Sequence, residues 1–259
     1  MVSIDCHIHV FKTSLKTIPN ARHLPGYDAT LEMLRPIAAR ANVHRFVIVQ
    51  TSFLGPHNDY LLAEIAKDPQ HLRGVVILDA RTSASEIRAL SRQGVVGLRL
   101  NLFKTDLEQT LSEDHLAMVQ RCSDAGWSIG IHDDASRLPA ILDRIGDRAP
   151  KLVIDHFGRP ESYGGDIHHA DYCVLLRRLA AMGTYVKISA AYRSPGLDAP
   201  RAIGLLRDEL GEDKLLWASD WPWTQHEAGQ DYVRWAHADG EDNSLAQRLS
   251  KNAELFYEF

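Results

Sequence analysis

The sequence predicts an α/β protein folded as one (β/α)8 barrel of the TIM type, with residues 1–259 as a single domain. Eight short apolar runs alternate with segments of helical periodicity along the chain, and 259 residues match the usual length of such a barrel. This alternation indicates a parallel sheet with right-handed crossovers. An open dinucleotide-binding sheet is disfavoured, because the first strand lacks a Gly-x-Gly-x-x-Gly turn.

The predicted strands are short runs rich in Val, Ile and Leu, at residues 2–6, 45–50, 74–78, 95–100, 127–131, 152–155, 185–189 and 215–218. The predicted helices between them cover 29–40, 59–67, 85–93, 113–125, 136–145, 170–182 and 201–210. Two more helices, at 230–238 and 244–256, are expected to complete the outer layer. The long connection from residue 11 to residue 28 is either a loop over the barrel mouth or plain solvated chain.

Composition narrows the partners and the compartment. Hydrophobic residues make up 45% of the chain and charged residues 24%, as in globular proteins with a large core. The net charge of -5 argues against nucleic acid or an anionic membrane as partner, because both need a basic face. Cys6, Cys122 and Cys173 are odd in number and widely spaced, so we expect buried thiols. Without a signal peptide or an apolar run of about 20 residues, a cytoplasmic protein is expected.

Catalytic side chains are predicted at the carboxyl ends of the strands, where barrels of this type build their sites. His7 and His9 leave the first strand, and Asp220 leaves the last strand, which barrel closure places beside the first. Side chains alternate along a strand, so His7 and His9 should project together while Ile8 points away. With His156 after the sixth strand, these histidines and Asp220 are the predicted catalytic residues.

Asp220 has three possible roles: a metal ligand, a general base for water, or a cap of the turn at residues 219–222. Its position favours the base. Burial between Trp217 and Trp221 would raise its proton affinity, whereas cationic neighbours would lower it, and the sequence leaves the sign open.

Three arginines at strand ends predict an anionic substrate. Arg99 lies near the end of the fourth strand, Arg159 and Arg193 follow the sixth and seventh strands, and a guanidinium binds a carboxylate in bidentate fashion. Surface ion pairing is the alternative for such residues. Ser52 and Asn101, at the ends of the second and fourth strands, are predicted to contact the substrate as well.

Five motifs resemble the amidohydrolase superfamily and, within it, the 2-pyrone-4,6-dicarboxylate lactonase-like branch. They are residues 5–11 (DCHIHVF), 49–52 (VQTS), 97–101 (GLRLN), 154–160 (IDHFGRP) and 219–222 (SDWP), in family order. The resemblance implies a hydrolase that opens a small anionic lactone with water, in aromatic or sugar-acid catabolism. It implies Asp220 as general base, His7, His9 and His156 around the carbonyl, and the arginines on carboxylates.

Three positions differ from that branch. A loop tyrosine is His23 here, a tyrosine of the fifth strand is His132, and an arginine after the fourth strand is Thr105. His23 is predicted to contact the substrate, and the preference for a dicarboxylate is open.

The metal content also stays open. Arg99 stands where many superfamily members carry a carboxylated lysine, which disfavours a two-metal site. The expectation is either no cofactor or a single divalent ion, zinc, held by His7, His9, His132 and Asp220.

Two rival functions remain: a metal-dependent decarboxylase of the same superfamily, and a barrel that binds an anionic metabolite without turnover. A candidate base among three histidines argues against mere binding. The oligomeric state is not predicted.

Overall fold

Eight parallel strands form one sheet in the order β1 to β8, in a computed structural model that describes residues 3–19, 21–241 and 243–259. The predicted (β/α)8 barrel is therefore confirmed. The strands are β1 Ser3–Ile8, β2 Val43–Val49, β3 Leu72–Val76, β4 Val95–Asn101, β5 Ser128–His132, β6 Leu152–Ile154, β7 Tyr185–Ile188 and β8 Leu215–Trp217. Val2, the first residue of the first predicted strand, lies outside the described residues.

Helices follow each strand. They are α1 Leu31–Ala39, α2 Asp59–Lys67, α3 Ala84–Ser91, α4 Leu107–Thr110, α5 Glu113–Asp124, α6 Leu138–Ile145, α7 Ala170–Ala181, α8 Ala199–Leu210, α9 Tyr232–Ala236, α10 Leu245–Arg248 and α11 Ser250–Tyr257. The predicted helix 59–67 coincides with α2, whereas the third strand begins two residues earlier than predicted. The short α4 was not predicted; the Asp106 side chain caps it by accepting from the Glu108 amide.

The barrel closes where β1 meets the chain that follows β8. The Asp220 amide donates to the His7 carbonyl at 3.0 Å, and the His9 amide donates to the Trp221 carbonyl at 2.8 Å. Ile8 and Trp221 form a parallel bridge between them. This ladder places the two histidines and the carboxylate next to one another, as the sequence predicted.

A bulge in β1 changes the direction in which the side chains of His7 and His9 point. Asp5 pairs with Phe46 and Ile8 pairs with Ile48, so three steps along β1 match two along β2. Cys6 packs in the inner cluster of the barrel, whereas Ile8 packs in the outer cluster beneath the helices. The extra residue changes the alternation between these positions.

Helix α11 closes the end of the barrel opposite the mouth. Phe256 packs against Tyr185, the first residue of β7, with ring centroids 4.3 Å apart, and Glu254 pairs with Arg45 of β2 at 2.7 Å. Ala253, Phe256 and Tyr257 belong to the inner apolar cluster. The prediction of one outer helix over 244–256 is therefore wrong: the helix is split at Leu249, and its second half covers the bottom of the barrel.

The cysteine prediction holds in part. Cys6 and Cys122 are buried free thiols, but Cys173 on α7 is only half-buried, because α7 turns that side toward the surface. No helix within the described ranges has both the length and the apolar character needed to cross a bilayer.

Candidate active site

A cavity of about 370 Å³ opens at the carboxyl ends of the strands. Most of the predicted site residues line it: His9, His23, Ser52, Arg99, Asn101, His132, His156, Arg159, Arg193 and Asp220. His7 is not part of the lining; its side chain is fully buried below the cavity floor.

The carboxylate of Asp220 lies at the centre of this site, and its two oxygens have different surroundings. Oδ1 lies 3.5 Å from His7 Nε2, 3.4 Å from His9 Nε2 and 3.8 Å from His156 Nε2. It is buried and has no hydrogen-bond partner. An unpartnered carboxylate oxygen at a cavity floor can accept a proton or bind a cation.

Oδ2 of Asp220 is fully engaged. It accepts from the Tyr192 hydroxyl at 2.6 Å and from Arg193 Nε at 3.0 Å, and Arg193 Nη2 lies 2.9 Å away in the same ion pair. Arg193, predicted to bind a substrate carboxylate, therefore pairs with a carboxylate of the protein itself. Tyr192 was not predicted, although it adjoins Arg193 in the sequence.

These neighbours determine whether the pKa of Asp220 is raised or lowered, which the sequence left open. Burial by itself raises the pKa of Asp220, but the charge of the adjacent Arg193 outweighs it and holds the pKa well below its usual value of 3.8. The carboxylate is therefore ionised at neutral pH. Its backbone is left-handed, with φ of 59°, and His156 has φ of 56°, so both strand exits carry local strain.

The three central histidines are neutral. Burial is the largest cause that lowers the pKa of His7 and of His9, and it lowers the pKa of His156 to about 3. His9 Nδ1 lies 2.7 Å from the carbonyl of Val49, which only accepts, so Nδ1 carries the proton and Nε2 carries a lone pair. His156 Nδ1 lies 2.7 Å from Ser189 Oγ.

A buried ion pair below the floor was missed by the sequence analysis. Lys187 Nζ lies 3.1 Å from Asp155 Oδ1 and 3.3 Å from His7 Nδ1, and all three side chains are buried. The signal was present in the sequence as a lysine within the otherwise apolar strand β7, since a lysine is almost never fully buried unless it is paired.

The two other predicted arginines differ in their partners. Arg99 Nη1 donates to the Gln50 carbonyl at 2.5 Å, its Nε has no partner, and no carboxylate pairs with it among the described residues. Arg159 forms an ion pair with Glu161 and stacks over the Phe103 ring at 3.6 Å. Arg99 is therefore a buried cation of the cavity that has no carboxylate partner among the described residues.

The 11–28 connection does reach the mouth, because Arg22 and His23 line the cavity. Arg22 Nη2 donates to Asn101 Oδ1 at 3.2 Å. Tyr27 donates to Glu227 at 2.6 Å, which joins this loop to the one after β8.

The ligand atoms of His7, His9 and Asp220 form a candidate site for one metal ion. The two Nε2 atoms are 3.3 Å apart, and each lies 3.4 to 3.5 Å from Asp220 Oδ1, close to the edges of a tetrahedron around zinc with bonds of about 2.0–2.2 Å. These donors fit a divalent ion. The structure does not bring the fourth predicted ligand, His132, into this group, because its Nε2 faces Arg159 Nη1 at 3.2 Å.

The sequence pattern of the amidohydrolase family matches residues 4–259. The chain belongs to this family. This amidohydrolase is 26% identical, over 84% of its length and 75% of the relative, to the 4-sulfomuconolactone hydrolase of Rhizobium radiobacter. It is 25% identical to the 2-pyrone-4,6-dicarboxylate hydrolase of Comamonas testosteroni, over 85% of this chain and 76% of that protein.

Solved structures share the fold. A probable 2-pyrone-4,6-dicarboxylic acid hydrolase of Acinetobacter baumannii, with citric acid bound, matches with a TM-score of 0.91 and 30% identity over 100% of both chains. An amidohydrolase of Burkholderia multivorans with bound zinc matches with a TM-score of 0.79 over 100% of both chains. At 21% identity, that second likeness concerns the fold alone.

Proposed function

We propose that this amidohydrolase hydrolyses the cyclic ester of a small anionic lactone, with Asp220 as the general base. The observation that carries the proposal is Asp220 Oδ1, an ionised and unpartnered oxygen at the floor of a cavity that also holds the unpaired cation Arg99. The lactone hydrolases among its relatives support the same reaction.

In the proposed reaction, a water molecule held at Asp220 Oδ1 attacks the lactone carbonyl carbon as its proton passes to that oxygen. Negative charge then develops on the carbonyl oxygen, where the neighbouring His156 ring lowers its energy. The ring C–O bond breaks next, and the departing oxygen takes the proton back from Asp220. The product carries one new carboxyl group, which releases its proton to water, and one new hydroxyl group.

The low pKa of Asp220 has opposite effects on the two proton transfers. A weakly basic carboxylate has little driving force to deprotonate water, but once protonated it is a strong acid for the leaving oxygen. Tyr192 and Arg193 hold its Oδ2, so the proton moves on and off Oδ1 alone.

A divalent ion at His7, His9 and Asp220 would polarise the carbonyl and lower the pKa of bound water. The protein residues would keep their binding roles in that case, since Arg99 and Arg159 lie outside the group of ligand atoms. The dependence of activity on a single bound metal ion should therefore be measured in the same preparations as lactone hydrolysis.

The cavity favours a ligand with negative charge. Arg22, Arg99, Arg159 and Arg193 line it together with Lys104, against only two acids, Glu161 and Asp220. Arg99 would bind the first anionic group, and Arg159 would bind a second one that displaces Glu161. Ser52, Asn101 and His23 are proposed as further substrate contacts, because they line the same cavity.

The test is hydrolysis of a panel of carboxylated lactones, including 2-pyrone-4,6-dicarboxylate, by enzyme prepared with and without chelator and assayed for bound metal. Release of the ring-opened acid by the wild type but not by Asp220→Asn supports the proposal. Release of carbon dioxide from aromatic acids instead would favour the decarboxylase, and binding without any turnover would favour a metabolite-binding barrel.

A further inference from the structure

We infer that Lys187 is a positioning residue that fixes the tautomer of His7, with the proton on Nε2 and the lone pair on Nδ1. The inference extends the proposed function, because His7 acts on the catalytic carboxylate from below the cavity. Neither residue lines the cavity, so neither contacts a ligand there.

The first step is the contact at His7 Nδ1. Lys187 Nζ lies 3.3 Å away, and an ammonium group has three donors and no acceptor. A hydrogen bond between them therefore requires the lone pair on Nδ1. A neutral imidazole then carries its only proton on Nε2.

The second step is that the neighbouring groups agree with this direction. His9 carries its proton on Nδ1, where it donates to the Val49 carbonyl, so its Nε2 is an acceptor. His7 Nε2 lies 3.3 Å from that atom. The hydrogen bonds then run from Lys187 to His7, from His7 to His9 and from His9 to the Val49 carbonyl. Each of these contacts has one donor and one acceptor.

The competing arrangement would place the proton on His7 Nδ1 and direct it at Asp155. Asp155 Oδ1 lies 3.4 Å from Nδ1, but this contact does not have the geometry of a hydrogen bond, whereas the contact between Lys187 and Nδ1 does. The carboxylate instead pairs with Lys187 at 3.1 Å, and that ammonium keeps the pKa of Asp155 well below its usual value despite burial, which alone would raise it. Asp155 thus positions the Lys187 ammonium group, which in turn contacts Nδ1 of His7.

The tautomer has a consequence for metal binding. A histidine that ligates through Nε2 must have its lone pair there and usually donates its Nδ1 proton to a carboxylate or carbonyl group. Lys187 opposes that state twice, by taking the Nδ1 lone pair and by placing a positive charge next to the ligand. The residue therefore favours proton transfer at Asp220 over occupation of the site by a cation.

The experiment is an imidazole nitrogen NMR spectrum of the full-length enzyme labelled at histidine and freed of metal, with His7 assigned by comparison with His7→Gln. The expected wild-type result is a protonated Nε2 and an unprotonated Nδ1. A protonated Nδ1 in the wild type would overturn the inference, and this measurement needs no Lys187 variant to fold.

Lys187→Met removes the donor at nearly constant length, and Lys187→Arg retains a donor and the charge. In Lys187→Met we expect the proton of His7 to move to Nδ1 and zinc to bind at least about tenfold more tightly. The same variant should have a lower kcat with an unchanged KM. Lys187→Arg should keep the wild-type tautomer. Unchanged zinc affinity and an unchanged tautomer in the Met variant would contradict the inference.

The tautomer and the zinc affinity are read without any lactone. If no lactone is hydrolysed, the proposed function fails while the role of Lys187 is still decided. If lactones are hydrolysed and the tautomer is the opposite one, only the inference about Lys187 fails.

Discussion

Arg193 directs both Nε and Nη2 at a single oxygen of Asp220, Oδ2, at 3.0 and 2.9 Å, and leaves Oδ1 without a partner. The guanidinium thereby keeps the carboxylate ionised and fixes the oxygen that faces the histidines. An arginine that the sequence suggested as a substrate anchor instead pairs with the proposed base.

Replacing the base should nearly abolish turnover. Asp220→Asn retains the shape but cannot accept a proton, so kcat should fall by about 10²- to 10⁴-fold. Steady-state kinetics on a turned-over lactone measures this. Asp79→Asn is the matched control, because Asp79 is an exposed carboxylate that also follows a strand, β3, and should keep full activity. Near-normal turnover by the Asp220 variant would remove this residue from the mechanism.

Removing the guanidinium should move the acidic limb of the pH profile. The base form of Asp220 exists above its pKa, which Arg193 keeps low against the effect of burial. In Arg193→Met that pKa rises, so the fall of kcat/KM on acidification should begin at a higher pH. The control is Arg177→Met on the exposed side of α7. A limb that stays in place would show that Arg193 does not set the protonation of the base.

The sequence predicted the barrel and the convergence of His7, His9 and Asp220, because both follow from strand order and from the side-chain alternation near each strand exit. It could not predict that His7 lies below the floor, since that depends on the bulge in β1 and on the depth of Lys187 in β7. The sequence also could not predict which group each arginine contacts.

The predicted metal role of His132 shows the same limit. A strand exit and a residue type made it a plausible ligand, but the structure directs its Nε2 at Arg159. Such choices depend on side-chain directions across the mouth, which single-chain patterns do not encode.

The buried histidines should destabilise the fold in acid. The pKa of His156 is about 3 in the folded protein against 6.5 as its ordinary value, so the unfolded chain binds a proton there first as pH falls. Its contribution is fully present above pH 6.5 and is lost between 6.5 and about 3. His156→Gln should therefore reduce the slope of unfolding free energy against pH by up to about 1.4 kcal/mol per unit. Denaturant unfolding across that pH range measures this slope. An unaltered slope in the variant would contradict a low pKa of His156 in the folded protein.

Loss of the unpaired cation should weaken substrate binding. Arg99→Met removes a charge-assisted contact of about 1.5–3 kcal/mol, so KM for a carboxylated lactone should rise roughly 10- to 100-fold. The same variant should leave KM for an uncharged lactone of equal ring size nearly unchanged. Equal effects on both substrates would mean that Arg99 supports the site without binding an anion.

The most direct measurement is turnover of 2-pyrone-4,6-dicarboxylate, or of another lactone from the panel, by metal-assayed enzyme in water labelled with heavy oxygen. Mass spectrometry of the product should show the mass of one labelled water added in a single turnover, with the label in the new carboxylate, and Asp220→Asn should form none. Loss of carbon dioxide, or an isomer without added water, would contradict lactone hydrolysis at this site.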